Sequence, residues 1–174
     1  RTDIASFFYS NRYAILTAGI LIGYALFLPV DIMEIDAAQY ASIAREMHES
    51  GHYLQVFLRG QDYLDKPPLL FWITSIPIGL FGPTSWAYKL LPLCILVLGL
   101  YATFRFAAIW YGRETGIMAM LITASTQAFY LMANDVRTDG LLTSWIMITM
   151  WQLSCFFKEN RSRYLWTSGL GLGL

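Results

Sequence analysis

Apolar residues along this chain come in long blocks, and charged residues gather in the gaps between them. A helix that crosses a bilayer takes about 20 mostly apolar residues, with a range of about 17–25. Four blocks reach that length, at residues 13–30, 85–110, 116–132 and 141–157, and a fifth begins near residue 165. The block Leu69–Phe81 is apolar but short. It follows Pro67-Pro68, contains Pro77 and Gly79, and ends at Gly82-Pro83. Proline removes a backbone donor and interrupts a helix. This block is therefore expected to be a juxtamembrane or half-inserted hairpin that enters and leaves on one side. The pattern predicts an all-α, polytopic transmembrane protein whose residues 31–84 form an external loop containing juxtamembrane helices.

Inside that loop the period changes. Ala37, Ala38, Tyr40, Ala41, Ile43, Ala44 and Met47 recur at helical spacing, with Arg45, Glu46 and Glu49 on the other face. Such an amphipathic helix is expected to lie in the interface. Asp36 opens it, and Asp36 with Gln39 has the spacing of a capping box. Asp is a favoured N-cap, so two readings of Asp36 stay open: a cap, or a functional carboxylate.

Composition sharpens the membrane reading. Of 174 residues, 56% are hydrophobic and 14% charged, and the mean hydropathy is +0.47. Soluble domains carry roughly 25% charged residues. The net charge of zero gives no sign of a nucleic-acid partner. Cys94 and Cys155 each sit inside an apolar block, which excludes a secretory disulfide framework. Many of the Trp and Tyr lie near block ends, where aromatic belts form. No small-residue cleavage site separates the first block from Asp31, so that block is expected to be a retained signal-anchor helix. The closing `YLWTSGLGLGL` looks like the start of a further span, so the chain is expected to be the N-terminal part of a single transmembrane domain.

Charge sets the expected orientation. One side holds Arg1, Arg12, Arg105, Arg113, Lys158, Arg161 and Arg163. The other holds nine of the twelve acids, all but Asp3, Glu114 and Glu159. By the positive-inside rule the first side is cytoplasmic. Letting Leu69–Phe81 cross would turn Arg113 outward and part Asp139 from Asp36, so the half-inserted reading is preferred. Lys89 and Arg105 lie toward span ends and are expected to snorkel.

Three charged motifs carry candidate chemistry. His48-Glu49-Ser50-Gly51-His52 matches H-E-x-x-H, whose histidines could share a zinc on an unbroken helix. Gly51 falls between them, where a helix would stop, and no third ligand follows. The bland reading, a helix end with two solvent-facing histidines, is preferred. Asp65-Lys66-Pro67-Pro68 sets a cation beside an acid on stiff backbone. Lys is a point charge suited to a phosphate, and the alternative is a surface ion pair of little consequence. Asp135, Arg137 and Asp139 precede the block 141–157. There Thr138 or Asp139 could simply cap the helix, and Arg137 could anchor a lipid headgroup.

Taken in order, `IDAAQYASIAREM`, `YLDKPPLLFW`, `WAYKLLP` and `NDVRTDGLL` resemble the N-terminal third of bacterial GT-C glycosyltransferases of the aminoarabinose-transferase-like and protein-mannosyltransferase-like family. The resemblance covers about residues 13–157. It implies a GT-C fold in the bacterial inner membrane, with its active face extracytoplasmic. It implies inverting transfer of a sugar from a polyprenyl-phosphate donor to a lipid, glycan or protein acceptor, as in lipid A or cell-envelope glycan modification. It implies that Asp36 and Asp139 are catalytic and that Lys66, beside Asp65, lies near the lipid phosphate. Arg137 is a further candidate for that phosphate, and Asp65, Tyr40 and Tyr63 are candidates for the pocket wall. No metal ligand set is assigned; a divalent cation is the one cofactor the external acids leave open. Many members read Asp-Glu where this chain has Asp36-Ala37, and the aminoarabinose transferases typically have Glu where it has Asp65.

Two other classes compete with the enzyme reading. A secondary transporter would keep ionisable groups and broken helices near the midplane, whereas these spans read as clean. A scaffold would leave the external acids without a purpose.

Overall fold

The computed structural model describes residues 2–173, with side chains from residue 11 onward. Those residues form eight helices and one short hairpin: α1 (Thr2–Leu26), α2 (Ile35–Ser50), β1 (Phe57–Leu58), β2 (Gln61–Asp62), α3 (Leu69–Phe81), α4 (Ser85–Tyr111), α5 (Arg113–Ser125), α6 (Gln127–Asn134), α7 (Thr138–Glu159) and α8 (Ser162–Gly173). Two of them, α4 and α7, are each long and apolar enough to cross a membrane. They pack side by side and are the axis of the molecule. The polytopic all-α expectation holds, and the protein is a membrane protein.

The closeness of α4 and α7 has a residue-level cause. A Cβ built on Gly99 would meet Ser144 Oγ at 2.7 Å, its Cβ at 2.8 Å and its Cα at 2.9 Å. Small residues of this kind let membrane helices approach until their backbones nearly touch. Gly99→Ala is therefore expected to wedge the pair apart and destabilise the fold by about 1–3 kcal/mol. Thermal unfolding of the detergent-solubilised protein checks this.

The boundaries differ from the sequence expectation in instructive ways. Helix α1 begins before residue 13 and ends at Leu26, not at residue 30, because residues 27–30 turn away. Span 116–132 is not one helix. It divides into α5 and α6, bent by 63° at Thr126. Thr126 has extended backbone and its side chain accepts from Phe129 N at 3.3 Å, so it restarts the chain as an N-cap. Helix α7 starts at Thr138 and α8 at Ser162, each three residues before the expected start.

Leu69–Phe81 is a single helix, not a hairpin folded within the run. It continues through Pro77. Its 13 residues span about 20 Å at 1.5 Å per residue, short of a hydrocarbon core of about 30 Å. It packs on α2 on one side and on α4 on the other. This changes the role of α2 as well. Ala37, Ile43 and Ala44 are wholly buried against protein, so the apolar stripe of α2 serves a core rather than a lipid surface. That core joins α2 and α3 to Tyr88, Val136 and Leu141 at one end of the α4–α7 pair. A second core, with Tyr24, Leu96, Leu100 and Phe129, ties α1 to α4, α5 and α6.

Candidate active site at one end of the helix bundle

The end of the bundle carrying α2 and α3 gathers Asp36, the Asp65-Lys66 motif and the Asp135-to-Asp139 motif. Helix α2 begins one residue before Asp36, and its cap is Glu34, not Asp36. The Glu34 carboxylate accepts from Ala37 N at 3.2 Å. This corrects the capping reading of Asp36, which lies in the first turn with its side chain exposed. Among the described residues no hydrogen bond or ion pair holds the Asp36 carboxylate. Gly51 ends the helix in the left-handed conformation (φ 71°), donating to Met47 O.

Beyond Gly51 the chain forms the β1–β2 hairpin, with Phe57 opposite Asp62 and Leu58 opposite Gln61. Arg59 and Gly60 turn it with φ of 55° and 75°. Both of their backbone N–H groups donate to the Glu46 carboxylate, at 2.7 and 2.8 Å. The hairpin is thus pinned to α2, and it returns the chain to Tyr63 and Asp65. Glu46→Gln is expected to speed amide exchange at Arg59 and Gly60 while leaving α4 and α7 protected, which hydrogen-exchange mass spectrometry can read.

The first half of the site is an acid–tyrosine cluster. Tyr40 and Tyr63 are buried, and each ring lies 6.0 Å from Phe71, centroid to centroid. The Tyr63 pKa is raised, first by burial and then by neighbouring Tyr40, Asp65 and Asp36. Tyr63 therefore stays a protonated donor beside two carboxylates at ordinary pH. Asp65 is exposed and, like Asp36, makes no hydrogen bond or ion pair among the described residues.

The second half is a cleft of about 220 Å³ lined by Lys66, Pro67, Leu70, Asp139, Leu142 and Trp145, among others. Lys66 is exposed and forms no ion pair among the described residues, so the Asp65–Lys66 surface pair is not made. A free ammonium group thus faces a cleft with largely apolar walls. Across from it, Asp139 is held by Arg137 at 3.5 Å. Arg137 also reaches Glu34 at 3.9 Å, which ties the start of α7 to the cap of α2. Thr138 and Asp139 lie within the first turn of α7 and do not cap it. The residue at the cap position, Arg137, makes no side-chain cap bond.

On the far side of Arg137 is a cavity of about 500 Å³ that includes Asp31, Glu34, Asn134 and Asp135. The Asp135 pKa is raised by burial, against the opposing pulls of Val136 N–H, Lys89 and Arg137. Lys89 does not snorkel. It is 1% exposed and donates to Val30 O, with Asp31 and Asp135 as neighbouring charges. Arg105 is partly exposed at the opposite end and stacks on Trp151 at 5.3 Å.

The two histidines separate. Gly79 approaches the His48 ring so closely that a Cβ there would meet it at 2.7 Å. His52 lies past the end of α2 and packs on Phe57. The i, i+4 geometry of a zinc pair is absent because Gly51 turns the chain between them.

Sequence reasoning named Asp36, Tyr40, Tyr63, Asp65, Lys66, Arg137 and Asp139, and all seven meet at this end. It passed over Glu34 and Trp145. Glu34 had a signal, an acid three residues before Ala37 at the head of an apolar stripe. Trp145 had none beyond its place one helical face along from Thr138.

Comparison with known proteins fits this arrangement. A sequence profile for the dolichyl-phosphate-mannose-protein mannosyltransferase family matches residues 65–174. The chain belongs to this family. Lys66, Arg137, Asp139 and Trp145 all lie inside the matched stretch of the mannosyltransferase-family profile. The chain is 29% identical to an undecaprenyl phosphate-alpha-4-amino-4-deoxy-L-arabinose arabinosyl transferase of Aeromonas hydrophila, over 76% of this chain and 25% of the relative. The Erwinia tasmaniensis protein of the same description is 26% identical over 94% of the chain and 30% of its own length. The fold is similar to crystal structures of ArnT from Cupriavidus metallidurans. The apo form superposes with a TM-score of 0.69 at 20% identity, over 85% of this chain and 31% of that one. The form bound to undecaprenyl phosphate gives 0.60, also at 20% identity, over 82% and 30%. The chain thus spans about a quarter to a third of the length of these relatives.

Proposed function

We propose that the full-length protein transfers a sugar from a polyprenyl phosphate to an acceptor on the extracytoplasmic face of the bacterial inner membrane. One observation carries this reading. An unpaired lysine, Lys66, opens onto a cleft with apolar walls, next to an acid already committed to an arginine. A lipid phosphate needs a cation at its head and an apolar wall along its chain.

The chemistry follows from the charges. Displacement at the anomeric carbon makes the lipid phosphate the leaving group. Lys66, with Arg137 nearby, stabilises the charge that develops on it. Asp139 holds Arg137 in place. Asp36 carries a free carboxylate and takes the proton of a hydroxyl acceptor. Tyr63 and Tyr40 wall the pocket between the two halves, with Asp65 beside them. If the acceptor is itself a phosphate, Asp36 orients it instead. A divalent cation could be held only by the external acids; among the described residues no three metal-ligating side chains cluster. The sequence relatives are named for undecaprenyl-phosphate aminoarabinose, which makes an amino sugar the first donor to try and a cell-envelope lipid or glycan the first acceptor.

The broken α5–α6 span and the buried Lys89 are features a transporter would share. Neither sits where transport needs it. The break at Thr126 has no charged side chain within α6, and Lys89 lies in the second turn of α4, close to the charged end.

Full-length protein in proteoliposomes, given an undecaprenyl-phosphate sugar and an outer-membrane extract, is expected to release undecaprenyl phosphate in step with labelled acceptor. Release of neither product over a range of donor sugars would count against the reading. Cysteines placed at positions 62 and 138 should both react with an impermeant reagent from the periplasmic side. Labelling from opposite sides would sink the orientation.

A further inference from the structure

The end of the bundle away from Asp36 and Lys66 holds an arginine inside a membrane-crossing helix. Helix α4 has 27 residues, so it is about 40 Å long at 1.5 Å per residue. A hydrocarbon core is about 30 Å thick. With the excess shared equally, α4 passes the core by about 5 Å at each end. Arg105 comes six residues before Tyr111, or about 9 Å from that end. Its backbone therefore lies about 4 Å inside the hydrocarbon. An ionised side chain at such a depth is uncommon and calls for a named partner. Among the described residues no carboxylate pairs with Arg105.

The guanidinium is nonetheless fixed in place. It donates to Tyr101 Oη at 2.8 Å and lies over the Trp151 ring at 5.3 Å and the Tyr101 ring at 5.8 Å. These contacts use one hydroxyl and two ring faces. Most of the planar donor fork stays open on a partly exposed side chain. The rim adds positive charge. Tyr164 of α8 lies near Arg105. Arg163 stacks on Tyr164 at 4.6 Å and donates to its hydroxyl at 2.7 Å. Arg161 and Arg163 share one acid, Glu159, at 3.5 and 3.7 Å. Arg105, Arg161 and Arg163 thus stand against a single carboxylate, which leaves surplus positive charge at the level of the phospholipid headgroups. Tyr101 and Leu98 lie one and two turns deeper on the same face of α4 as Arg105, and both are exposed. They leave an apolar track below the charge.

We propose that this corner of α4, α7 and α8 binds an anionic phospholipid, its phosphate on the Arg105 guanidinium, its headgroup toward Arg163 and a chain along Tyr101 and Leu98. A guanidinium fork matches two phosphate oxygens at once. A free phosphate would meet the same fork but has nothing to lay on the apolar track. A choline lipid has the phosphate and the chains, but its ammonium would face Arg163 as a like charge. The site lies at the opposite end of the bundle from the sugar-transfer chemistry and does not rest on it.

The test is lipid binding to the detergent-purified full-length protein, read by native mass spectrometry. Dioleoyl phosphatidylglycerol is the probe, dioleoyl phosphatidylcholine the neutral comparison and inorganic phosphate the soluble competitor. The native protein is expected to hold phosphatidylglycerol more tightly than phosphatidylcholine, and inorganic phosphate should not displace it. Arg105→Gln should weaken phosphatidylglycerol by about 10-fold or more, the worth of a hydrogen-bonded contact to a charged group. Lys158→Gln removes the same charge from the same end, but Lys158 stacks on Trp110 instead. Its loss should not exceed about 5-fold, the effect of one surface cation on an anionic lipid. Arg105→Lys keeps the charge and loses the fork, so it should fall between the native protein and Arg105→Gln. It also keeps the test open if the glutamine variant fails to fold. Equal losses in Arg105→Gln and Lys158→Gln would overturn the site and leave only diffuse attraction. Native affinity in the folded Arg105 variants would overturn it outright. Displacement by inorganic phosphate would overturn the lipid as its occupant.

Discussion

Asp36→Asn in the full-length protein is expected to cut sugar transfer to a hydroxyl acceptor by about 10²–10⁴-fold, the usual worth of a positioned general base. The fold should survive. Asp36 is exposed and makes no hydrogen bond among the described residues, and the cap of α2 is Glu34, which the substitution leaves alone. Asn removes the proton-accepting charge and keeps the shape. A matched control is Glu34→Ala. It should destabilise the α2 end by about 0.5–2 kcal/mol as a lost cap and loosen Arg137 as well. The pair separates chemistry from architecture. Near-native turnover by a folded Asp36→Asn protein would remove Asp36 from the mechanism and leave Tyr63 with Asp65 as the acid–tyrosine pair to examine.

Lys66→Ala is the second large effect. Truncating one side of a desolvated charge pair costs about 2–5 kcal/mol, which is roughly 30- to 4,000-fold in kcat/KM. The loss should fall on both KM for the donor and kcat. Lys66 meets the phosphate in the ground state, and it meets more charge when the phosphate leaves. Lys66→Arg keeps the charge but changes its shape from a point to a planar fork. It is expected to restore a part of the activity. A steady-state series over donor concentration reads all of this. Loss confined to the acceptor KM would mean that Lys66 serves the other substrate.

How far the sequence carried can be judged from particular residues. Hydropathy found the α4 and α7 spans within three residues at each end, because length and apolarity alone define a membrane crossing. The stripe from Ala37 to Met47 found α2, and Gly51 marked its end, because both signals are local. Hydropathy could not see the bend at Thr126. An apolar run reads the same whether its axis turns or not, and only the Thr126 cap restarts the helix. The Arg59-Gly60 hairpin was missed since its strands have two residues each and its stability comes from Glu46, thirteen residues upstream. The stripe alone suggests Asp36 as the cap of α2, and only the backbone decides for Glu34. Lys89 illustrates the largest gap. Whether a lysine near a span end snorkels or is buried depends on a distant acceptor, here Val30 O, fifty-nine residues away. The convergence of Asp36, Lys66 and Asp139 was readable from the charge distribution together with the short, Pro-bounded block Leu69–Phe81, which keeps the three on one side. Their pairing through Arg137 and Glu34 was not.

The central claim is that the cleft between Lys66 and Asp139 receives the phosphate end of a polyprenyl carrier. Photo-crosslinking tests it most directly, using the full-length protein in bilayers and an undecaprenyl phosphate that carries a diazirine on its first isoprene unit. The account predicts adducts on peptides covering residues 66–72 and 138–145, suppressed by unlabelled undecaprenyl phosphate and reduced by Lys66→Ala. Specific, competable adducts elsewhere, with none on those two segments, would contradict it.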